Sequence, residues 1–422
     1  MALIALLTPP VPGMLSGLPT VAGRPVLERQ RRQSLIAGVE RIVIWSDATS
    51  DTLAQIADDD VVLVLSSGLV VDERIVAAVL AASVPAVATW PAVGAHKRAG
   101  VERLDALTVA AGVATYPGAM VRRLMTGLGD WDLHSTLLRA ALADEGATRV
   151  DLSAIDLYAP ARRRFVPLVW TIPETPAEAS EATTLLIGAA QKGCLDWPAR
   201  FIHPPIENML VRLLAPTPIT PNMVTLFVLL VSIGAGVAFV FGWMWTGLAL
   251  ALFSGPLDGV DGKLARARLE FSRWGDLEHV LDKISEYGWY LCLAGHFAAQ
   301  RGGEGPWTLA ALIILFALAE SLQGEFFRRF TGKQLDDAGD FERRFRLVSG
   351  RRNTFFWTLI PFGIAGAWYG GFILIAVYSV VTFAVMQASF YKRMAEFGRI
   401  ASPVVDRNFS RTAYAFLPGK DR

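Results

Sequence analysis

The sequence predicts an α/β domain at the N-terminal end followed by an all-α membrane domain. Three observations indicate this division. Short apolar runs alternate with amphipathic stretches over residues 1–170, and long apolar segments dominate residues 193–400. The stretch between them, 171–192, begins with a Pro- and Glu-rich segment typical of a linker. The 422-residue chain is 53% apolar with a mean hydropathy of +0.39, above the usual soluble average.

The N-terminal part contains four apolar runs of strand length: "LIALLT", "RIVIWS", "VVLVLSS" and "AVATW". Amphipathic stretches such as "RPVLERQRRQSLIAGV" and "DERIVAAVLAAS" separate them and predict helices. Buried strands that alternate with helices predict a mostly parallel sheet with right-handed crossovers. The first run lacks a basic flank, so it fits a buried strand better than a signal peptide.

Six later segments are long and apolar enough to predict transmembrane helices: 221–241, 243–265, 278–298, 307–327, 353–370 and 371–392. Lys and Arg concentrate in the connections on one side, with only Arg301 on the other. The positive-inside rule therefore predicts a multi-pass protein of bacterial inner-membrane type, with both termini, the α/β domain and the tail 401–422 in the cytoplasm. Residues 195–216 have apolar positions at helical spacing and predict a preceding interfacial helix.

Overall charge and cysteine content exclude two classes of function. The net charge is +1, so it indicates no nucleic-acid partner. The two cysteines, Cys194 and Cys292, lack the spacing of a zinc site or of a disulfide framework.

Four acidic residues lie at or near the predicted membrane helices. Asp258 and Asp261 are three residues apart, and Glu278 and Asp282 are four apart, so each pair shares a helix face. A short basic turn joins the two helices, which must run antiparallel, so all four carboxylates can meet near the cytoplasmic side. Their repulsion predicts a bound divalent cation, Mg²⁺ or Mn²⁺, whose other ligands would be waters and phosphate oxygens. The cluster thus indicates a site for a diphosphate-containing substrate.

Two neighbouring residues strengthen this prediction. Gly262 allows a ligand to approach the backbone closely, and Arg266 lies at the cytoplasmic end of the same helix, where it could contact phosphate. The alternative is structural, with the acids paired to Arg266, Arg268 and Arg273. Carboxylates inside apolar helices are functional by default, which favours the site.

The text "DGVDGKLAR" fits the pattern D-x-x-D-G-x-x-A-R and resembles the CDP-alcohol phosphotransferase (CDP-alcohol phosphatidyltransferase) family over about residues 193–400. The family signature continues G-x-x-x-D-x-x-x-D. Counted strictly from Gly275, the acidic positions would be His279 and Lys283. A shift of one residue places Glu278 and Asp282 there and preserves their spacing. The matching residues of the first part are Asp258, Asp261, Gly262, Ala265 and Arg266.

The resemblance implies a transferase in which an acceptor hydroxyl displaces CMP from a CDP-linked donor. Asp282 would be the general base. The donor would contact Gly262, Ala265, Arg266 and Gly275. The metal ligands would be Asp258, Asp261, Glu278 and Asp282.

The donor and acceptor remain open. The donor is either CDP-diacylglycerol, which would make the reaction a step of phospholipid biosynthesis, or a CDP-polyol such as CDP-inositol, and the acceptor is an alcohol. Membrane lipids and a second copy of the chain, as a homodimer, are the other expected partners. The alternative function is a catalytically impaired scaffold, or a relic of the family that binds nucleotide or metal.

A basic stretch precedes the fifth predicted span. Arg351 and Arg352 adjoin the span and are candidates for binding a phosphate on the acceptor, because the planar guanidinium suits phosphate. The alternative is that these arginines reflect positive-inside topology and contact anionic lipid.

The N-terminal domain is similar to nucleotidyltransferases in the stretch "LPTVAGRPVLERQRRQSLIAGVERIVI". Such a fusion resembles the bifunctional inositol-1-phosphate cytidylyltransferase and di-inositol-phosphate-phosphate synthase family. The G-x-G-T-R loop of nucleotidyltransferases is replaced by "LLTPPVPGMLSG", whose prolines cannot donate backbone hydrogen bonds to a triphosphate. Ser or Gly stands where their metal-binding Asp follows a strand. We therefore expect an inactive domain with a regulatory or structural role.

Overall fold

The structure is a computed structural model that describes residues 1–8, 20–45, 54–92, 102–126, 132–144, 146–272 and 275–399. The side chains of residues 144, 275–279 and 399 are not among those described. The predicted tail 401–422 and most of "LLTPPVPGMLSG" therefore lie outside the described residues, as does the side chain of Glu278.

The N-terminal part is built on a six-stranded sheet with the order β4-β1-β5-β8-β7-β9. Three neighbouring pairs are parallel, β1–β4, β1–β5 and β7–β9, and β8 runs antiparallel between β5 and β7. All four predicted strands are confirmed, and so is the mostly parallel sheet. The strands are β1 (Leu3–Leu7), β2 (Thr20–Val21), β3 (Arg24–Pro25), β4 (Arg41–Ile44), β5 (Val61–Leu65), β6 (Val70–Val71), β7 (Ala86–Pro91), β8 (Thr108–Pro117), β9 (Thr148–Asp151), β10 (Tyr158–Ala159), β11 (Arg164–Phe165) and β12 (Trp170–Thr171).

Helices cover this sheet and bury two apolar cores, as expected for crossover connections. The helices are α1 (Val26–Ile36), α2 (Glu73–Leu80), α3 (Gly118–Met125) and α4 (Leu133–Asp144). The small strands form three two-stranded sheets, β2–β3, β6–β12 and β10–β11. The turn between β2 and β3 has positive φ at Ala22 and Gly23, and a Cβ at Gly23 would lie 1.6 Å from the carbonyl oxygen of Ala215. This hairpin therefore contacts the C-terminal half of the chain at backbone distance.

The predicted linker contains a helix, α5 (Pro176–Ala189). Thr175 and Glu178 form a capping box at its N-terminus, and Pro176 occupies the first turn, where its missing N–H costs nothing. Ala179, Ala182 and Leu186 are buried in a core shared with β2, with α1 and with the helices that follow. The domain boundaries at 170, 192 and 400 stay predictions.

The C-terminal part is helical, and each of the six predicted segments is a helix. A π-helical turn at Pro198–Ile202 leads into α6 (His203–Leu214), the predicted interfacial helix. Then follow α7 (Pro221–Val240), α8 (Met244–Arg268), α9 (Gly275–Arg301), α10 (Gly305–Thr331), α11 (Asp340–Val348), α12 (Arg352–Ile364) and α13 (Trp368–Arg399).

Three of these helices are long and apolar enough to cross a membrane: Pro221–Val240, Gly305–Thr331 and Trp368–Gly398. Among the described residues, length and composition thus support three of the six predicted spans, and the prediction of six is not confirmed. Helices α8 and α9 carry the acidic residues that lower their hydropathy, and α12 has only 13 residues. The helices enclose an aromatic core around Trp289, whose indole N–H donates to the carbonyl of Ser232 at 2.7 Å.

Candidate active site

Helix α8 carries the motif "DGVDGKLAR" and packs against α6 through glycines one turn apart. A Cβ at Gly255 would lie 2.8 Å from the His203 ring, and one at Gly259 would lie 2.4 Å from the Glu207 carboxylate. His203 and Glu207 are themselves four residues apart, so both face α8. The glycines therefore allow α6 to approach α8 closely enough to place two polar side chains beside the motif.

A cavity of about 250 Å³ opens beside this contact. Four of the predicted site residues line it: Asp258, Gly262, Arg266 and Asp282. Sequence reasoning had not assigned the other polar residues of the lining that matter for the chemistry, which are Lys192, Asp196, His203, Glu207, Lys263 and Asn353. Residues from α8, α9, α12 and the segment before α6 therefore meet at one site.

Asp258 and Asp282 both lie close to one arginine side chain, that of Arg352. Arg352 Nη2 donates to Asp258 Oδ2 at 2.7 Å, and Arg352 Nη1 lies 3.7 Å from Asp282 Oδ1. All three side chains are half-buried. The positive charge of this arginine offsets part of the repulsion between the two carboxylates. Hydrogen bonds between charged groups are also stronger than those between neutral groups. The structure thus brings together two of the predicted metal ligands and one predicted phosphate ligand.

The remaining motif residues occupy different surroundings. Asp261 is only 2% exposed and accepts a hydrogen bond from Thr225 Oγ1 of α7 at 2.7 Å. Arg266 donates from Nε to the carbonyl of Ala190 at 2.9 Å, at the end of α5. The carbonyl of Ala265 accepts from the backbone N–H of Glu270 at 2.9 Å, which closes the last turn of α8.

Two further predicted residues, Gly275 and Arg351, are located by the start of a helix and by an ion pair. Gly275 is the first residue of α9, and the same helix carries Glu278 one turn later. Arg351 forms an ion pair with Glu320 of α10. In the structure, then, Arg352 contacts the acidic residues of the cavity and Arg351 contacts a different carboxylate.

Lys263 and Glu207 form a buried ion pair beside the cavity. The distance from Lys263 Nζ to Glu207 Oε2 is 2.7 Å, and the side chains are 1% and 6% exposed. Lys263 also donates to Asn208 Oδ1 at 2.8 Å and to the side chain of Gln191. Burial lowers the pKa of His203 to about 4, against the opposing effect of Asp196, so its imidazole is neutral at pH 7. The cavity wall therefore combines a fixed ion pair with an uncharged imidazole.

Two of the four predicted metal ligands offer oxygen donors of the type that a hard divalent cation prefers. Asp258 and Asp282 present carboxylate oxygens from two helices to one positive centre, the guanidinium of Arg352. Oxygen ligands of this type are those that Mg²⁺ and Mn²⁺ prefer. Among the described side chains, no three His, Cys, Asp or Glu residues are grouped closely enough to hold a metal ion. Glu278 lies outside those side chains.

Comparison with known proteins identifies a domain family in the C-terminal half of the chain. Residues 218–338 match the sequence model of the family described as CDP-alcohol phosphatidyltransferase. The chain is 26% identical over 212 residues to a "Bifunctional IPC transferase and DIPP synthase" of Aquifex aeolicus, which covers 49% of this chain and 47% of that protein. A protein of the same name from Thermococcus kodakarensis is 30% identical over 188 residues, or 44% of this chain and 42% of the relative.

A third relative of that name, from Rubrobacter xylanophilus, is 32% identical over 171 residues, or 39% of this chain and 38% of the relative. The chain therefore spans about half the length, or less, of the curated relatives it matches.

Proposed function

We propose that the CDP-alcohol phosphatidyltransferase domain carried by the C-terminal half of this chain transfers a phosphoalcohol group from a CDP-linked donor to an alcohol and releases CMP. A domain of this family is a transferase of phosphate-containing groups. The observation that carries the proposal is the convergence of Asp258 and Asp282 at a cavity that Gly262 and Arg266 also line. The relatives' names support a transferase but leave the substrates of this chain open.

The proposed metal ligands are Asp258, Asp261, Glu278 and Asp282. When bound, Mg²⁺ or Mn²⁺ would neutralise the diphosphate and stabilise the CMP leaving group. Asp258 and Asp282 supply hard oxygen donors from two different helices, which supports this assignment. Asp261 is held by Thr225 and would contribute after a local rearrangement of its side chain.

Asp282 is the proposed general base. The acceptor oxygen forms a bond to the phosphorus that carries the donor alcohol, and the bond from that phosphorus to the bridging oxygen breaks. CMP leaves with the electron pair, and the hydroxyl proton passes to Asp282. A carboxylate suits this task when it lies within hydrogen-bonding distance of the hydroxyl. Its position at the cavity wall is consistent with such an approach.

Arg266, which lines the cavity, and the residues around it would bind the substrate phosphates. Gly262, Ala265, Arg266 and Gly275 remain the proposed donor contacts. Arg351 and Arg352 remain the proposed contacts for a phosphate on the acceptor. Arg352 lies beside Asp258 and Asp282, which supports its role more strongly than that of Arg351.

The proposed topology has six spans, with both termini and the α/β domain on the cytoplasmic side. The interfacial helix α6 buries His203, Glu207 and Val211 on one face. Its other face exposes Met209 and Leu213, which supports insertion of that face into the headgroup region.

A second candidate is a scaffold that has lost catalysis, and one observation favours it. The Arg352 guanidinium already offsets part of the repulsion between Asp258 and Asp282, which stabilises the two carboxylates side by side. In this case the protein would bind a nucleotide or a cation without turnover.

Release of CMP by the purified full-length protein decides between the two. Separate assays contain CDP-diacylglycerol or CDP-inositol, a panel of alcohol acceptors, and Mg²⁺, Mn²⁺ or excess chelator. The transferase predicts CMP release with one donor class, abolished by chelator and restored by metal. No release with either donor at any acceptor, from protein that still binds CMP, would identify the scaffold.

A further inference from the structure

The N-terminal domain contacts the motif helix through arginines of one short segment. Arg29 of α1 is 4% exposed and donates from Nη1 to the carbonyl of Ala267, in the last turn of α8. Arg32, one turn later on α1, donates from Nη1 to Glu270 Oε1 at 2.9 Å. Arg24, in β3, forms an ion pair with the same carboxylate. Three cations of the α/β domain thus meet the end of a membrane helix.

The end of α8 requires such partners. The helix ends at Arg268, and Leu269 adopts a left-handed conformation with φ of 55°. The last carbonyls of a helix lack intrahelical partners and carry the negative end of the helix dipole. Cationic donors from outside the helix satisfy both needs. Arg29 supplies one directly, and the pair of Arg32 with Glu270 fixes the residue that follows the left-handed turn.

Arg268 extends the contact to the interfacial helix. Its side chain is fully buried, and it donates to the carbonyls of Ala215, Thr217 and Ile219. The same guanidinium lies 3.6 Å from Glu270, which Arg32 also contacts. The ends of α6 and α8 and the start of α1 are therefore joined through one charged cluster.

The position of this cluster links it to the cavity. Arg266 lies two residues before Arg268, and Asp258 and Asp261 lie within three turns of the helix end. A fourth arginine of the α/β domain, Arg163, lines the cavity and pairs with Asp336 at 2.7 Å. The α/β domain thus contributes to the site at its wall and at the end of its main helix.

We propose that Arg29 and Arg32 are positioning residues for the CDP-donor site, because they hold the cytoplasmic end of α8 and with it Arg266 and the two aspartates. The inference rests on the proposed function of the membrane domain. It gives the α/β domain a definite role, in which its α1 arginines bind the partner domain. Loss of these contacts frees the last turn of α8 and weakens donor binding more than it slows the chemical step.

The matched variants are Arg29→Gln, Arg32→Gln and Arg31→Gln in the full-length protein. Arg31 lies on the same helix and pairs with Glu28 at 2.7 Å, so it controls for the loss of a charge on α1. Arg32→Lys keeps a positive charge beside Glu270 and is expected to behave much like the wild type. Thermal unfolding of each variant excludes a general loss of the fold.

The first readout is hydrogen exchange of backbone amides in residues 264–270. Arg29→Gln and Arg32→Gln are expected to exchange about tenfold faster there than the wild type, a factor that corresponds to 1.4 kcal/mol. Arg31→Gln is expected to match the wild type. Equal exchange in all three variants would overturn the proposal.

The second readout is the kinetics of CMP release with the donor that the wild type uses. Arg32→Gln is expected to raise the KM for the donor about tenfold, with little change in kcat. An unchanged KM, or a fall in kcat alone, would contradict a positioning role at the donor site. A wild type that releases no CMP would refute the proposed function alone, because the exchange comparison needs no turnover.

Discussion

Replacement of Lys263 by methionine is expected to destabilise the helical C-terminal part strongly. Lys263 and Glu207 are almost fully buried and 2.7 Å apart, so the variant leaves a buried carboxylate without its cation. Loss of one member of a buried ion pair costs about 3–5 kcal/mol. A change of 1 kcal/mol shifts the melting temperature of a domain of this size by about 2–4 °C, which predicts a fall of roughly 6–20 °C.

The double variant Lys263→Met with Glu207→Gln distinguishes the loss of the ion pair from the cost of a buried carboxylate without its cation. Because the second change removes the orphaned charge, the double variant is expected to melt above Lys263→Met alone. A thermal scan of the wild type and the two purified variants in one detergent measures both effects. A Lys263→Met protein that melts within 2 °C of the wild type, a margin of roughly 1 kcal/mol, would refute the assignment of this pair as buried and mutually stabilising.

Three further predictions follow from other contacts. Gly259→Ala places a Cβ 2.4 Å from the Glu207 carboxylate and is expected to lower the melting temperature, whereas Gly324→Ala, with open space at its Cβ, should leave it unchanged. Arg351→Gln leaves the buried carboxylate of Glu320 unpaired and should cost about 3–5 kcal/mol in denaturant unfolding. Burial opposes ionisation of Glu270, but hydrogen bonds from arginines hold its pKa below the ordinary 4.5, so its stabilisation is complete above pH 4.5 and is lost as the pH falls through the lowered pKa. Glu270→Gln should therefore reduce the acid dependence of the melting temperature between about pH 5 and pH 3.

The sequence predicted the elements well because their signals are local. The four apolar runs of the first domain are strands, and the six long segments are helices with similar bounds. The motif in α8 identified the region of the cavity, since its glycines and acids follow a fixed spacing. Strand β8 was missed because "TVAAGVATYP" is rich in Ala and Gly and lacks a clear alternation.

The tertiary partners of the site could not be predicted from local pattern. Arg352 lies 94 residues after Asp258, and only the packing of α12 against α8 makes it a partner of the motif carboxylates. Glu207 and Lys263 likewise meet because α6 crosses α8 at Gly259. The period of four between His203 and Glu207 was a usable signal, since it places both on the buried face of an amphipathic helix.

The contact between the two halves of the chain bears on the N-terminal part, which we predict to be an inactive nucleotidyltransferase-like domain. Its stretch "RPVLERQRRQ" resembles a substrate-binding segment of nucleotidyltransferases, and three of its arginines contact the end of α8 instead. These contacts to α8 do not depend on nucleotide binding by the N-terminal part. The structural or regulatory role of this part stays a prediction, and Arg24, Arg29 and Arg32 are the residues through which we propose it acts.

CMP release by the Asp282→Asn variant is the most direct test of the proposed chemistry. The control is Asp340→Asn, which removes an exposed carboxylate at the start of α11. Both variants and the wild type are assayed with the same CDP-linked donor, acceptor and metal. Loss of about a hundredfold or more in kcat for Asp282→Asn, with Asp340→Asn unchanged, would support Asp282 as the general base. Release by Asp282→Asn at the wild-type rate would contradict it.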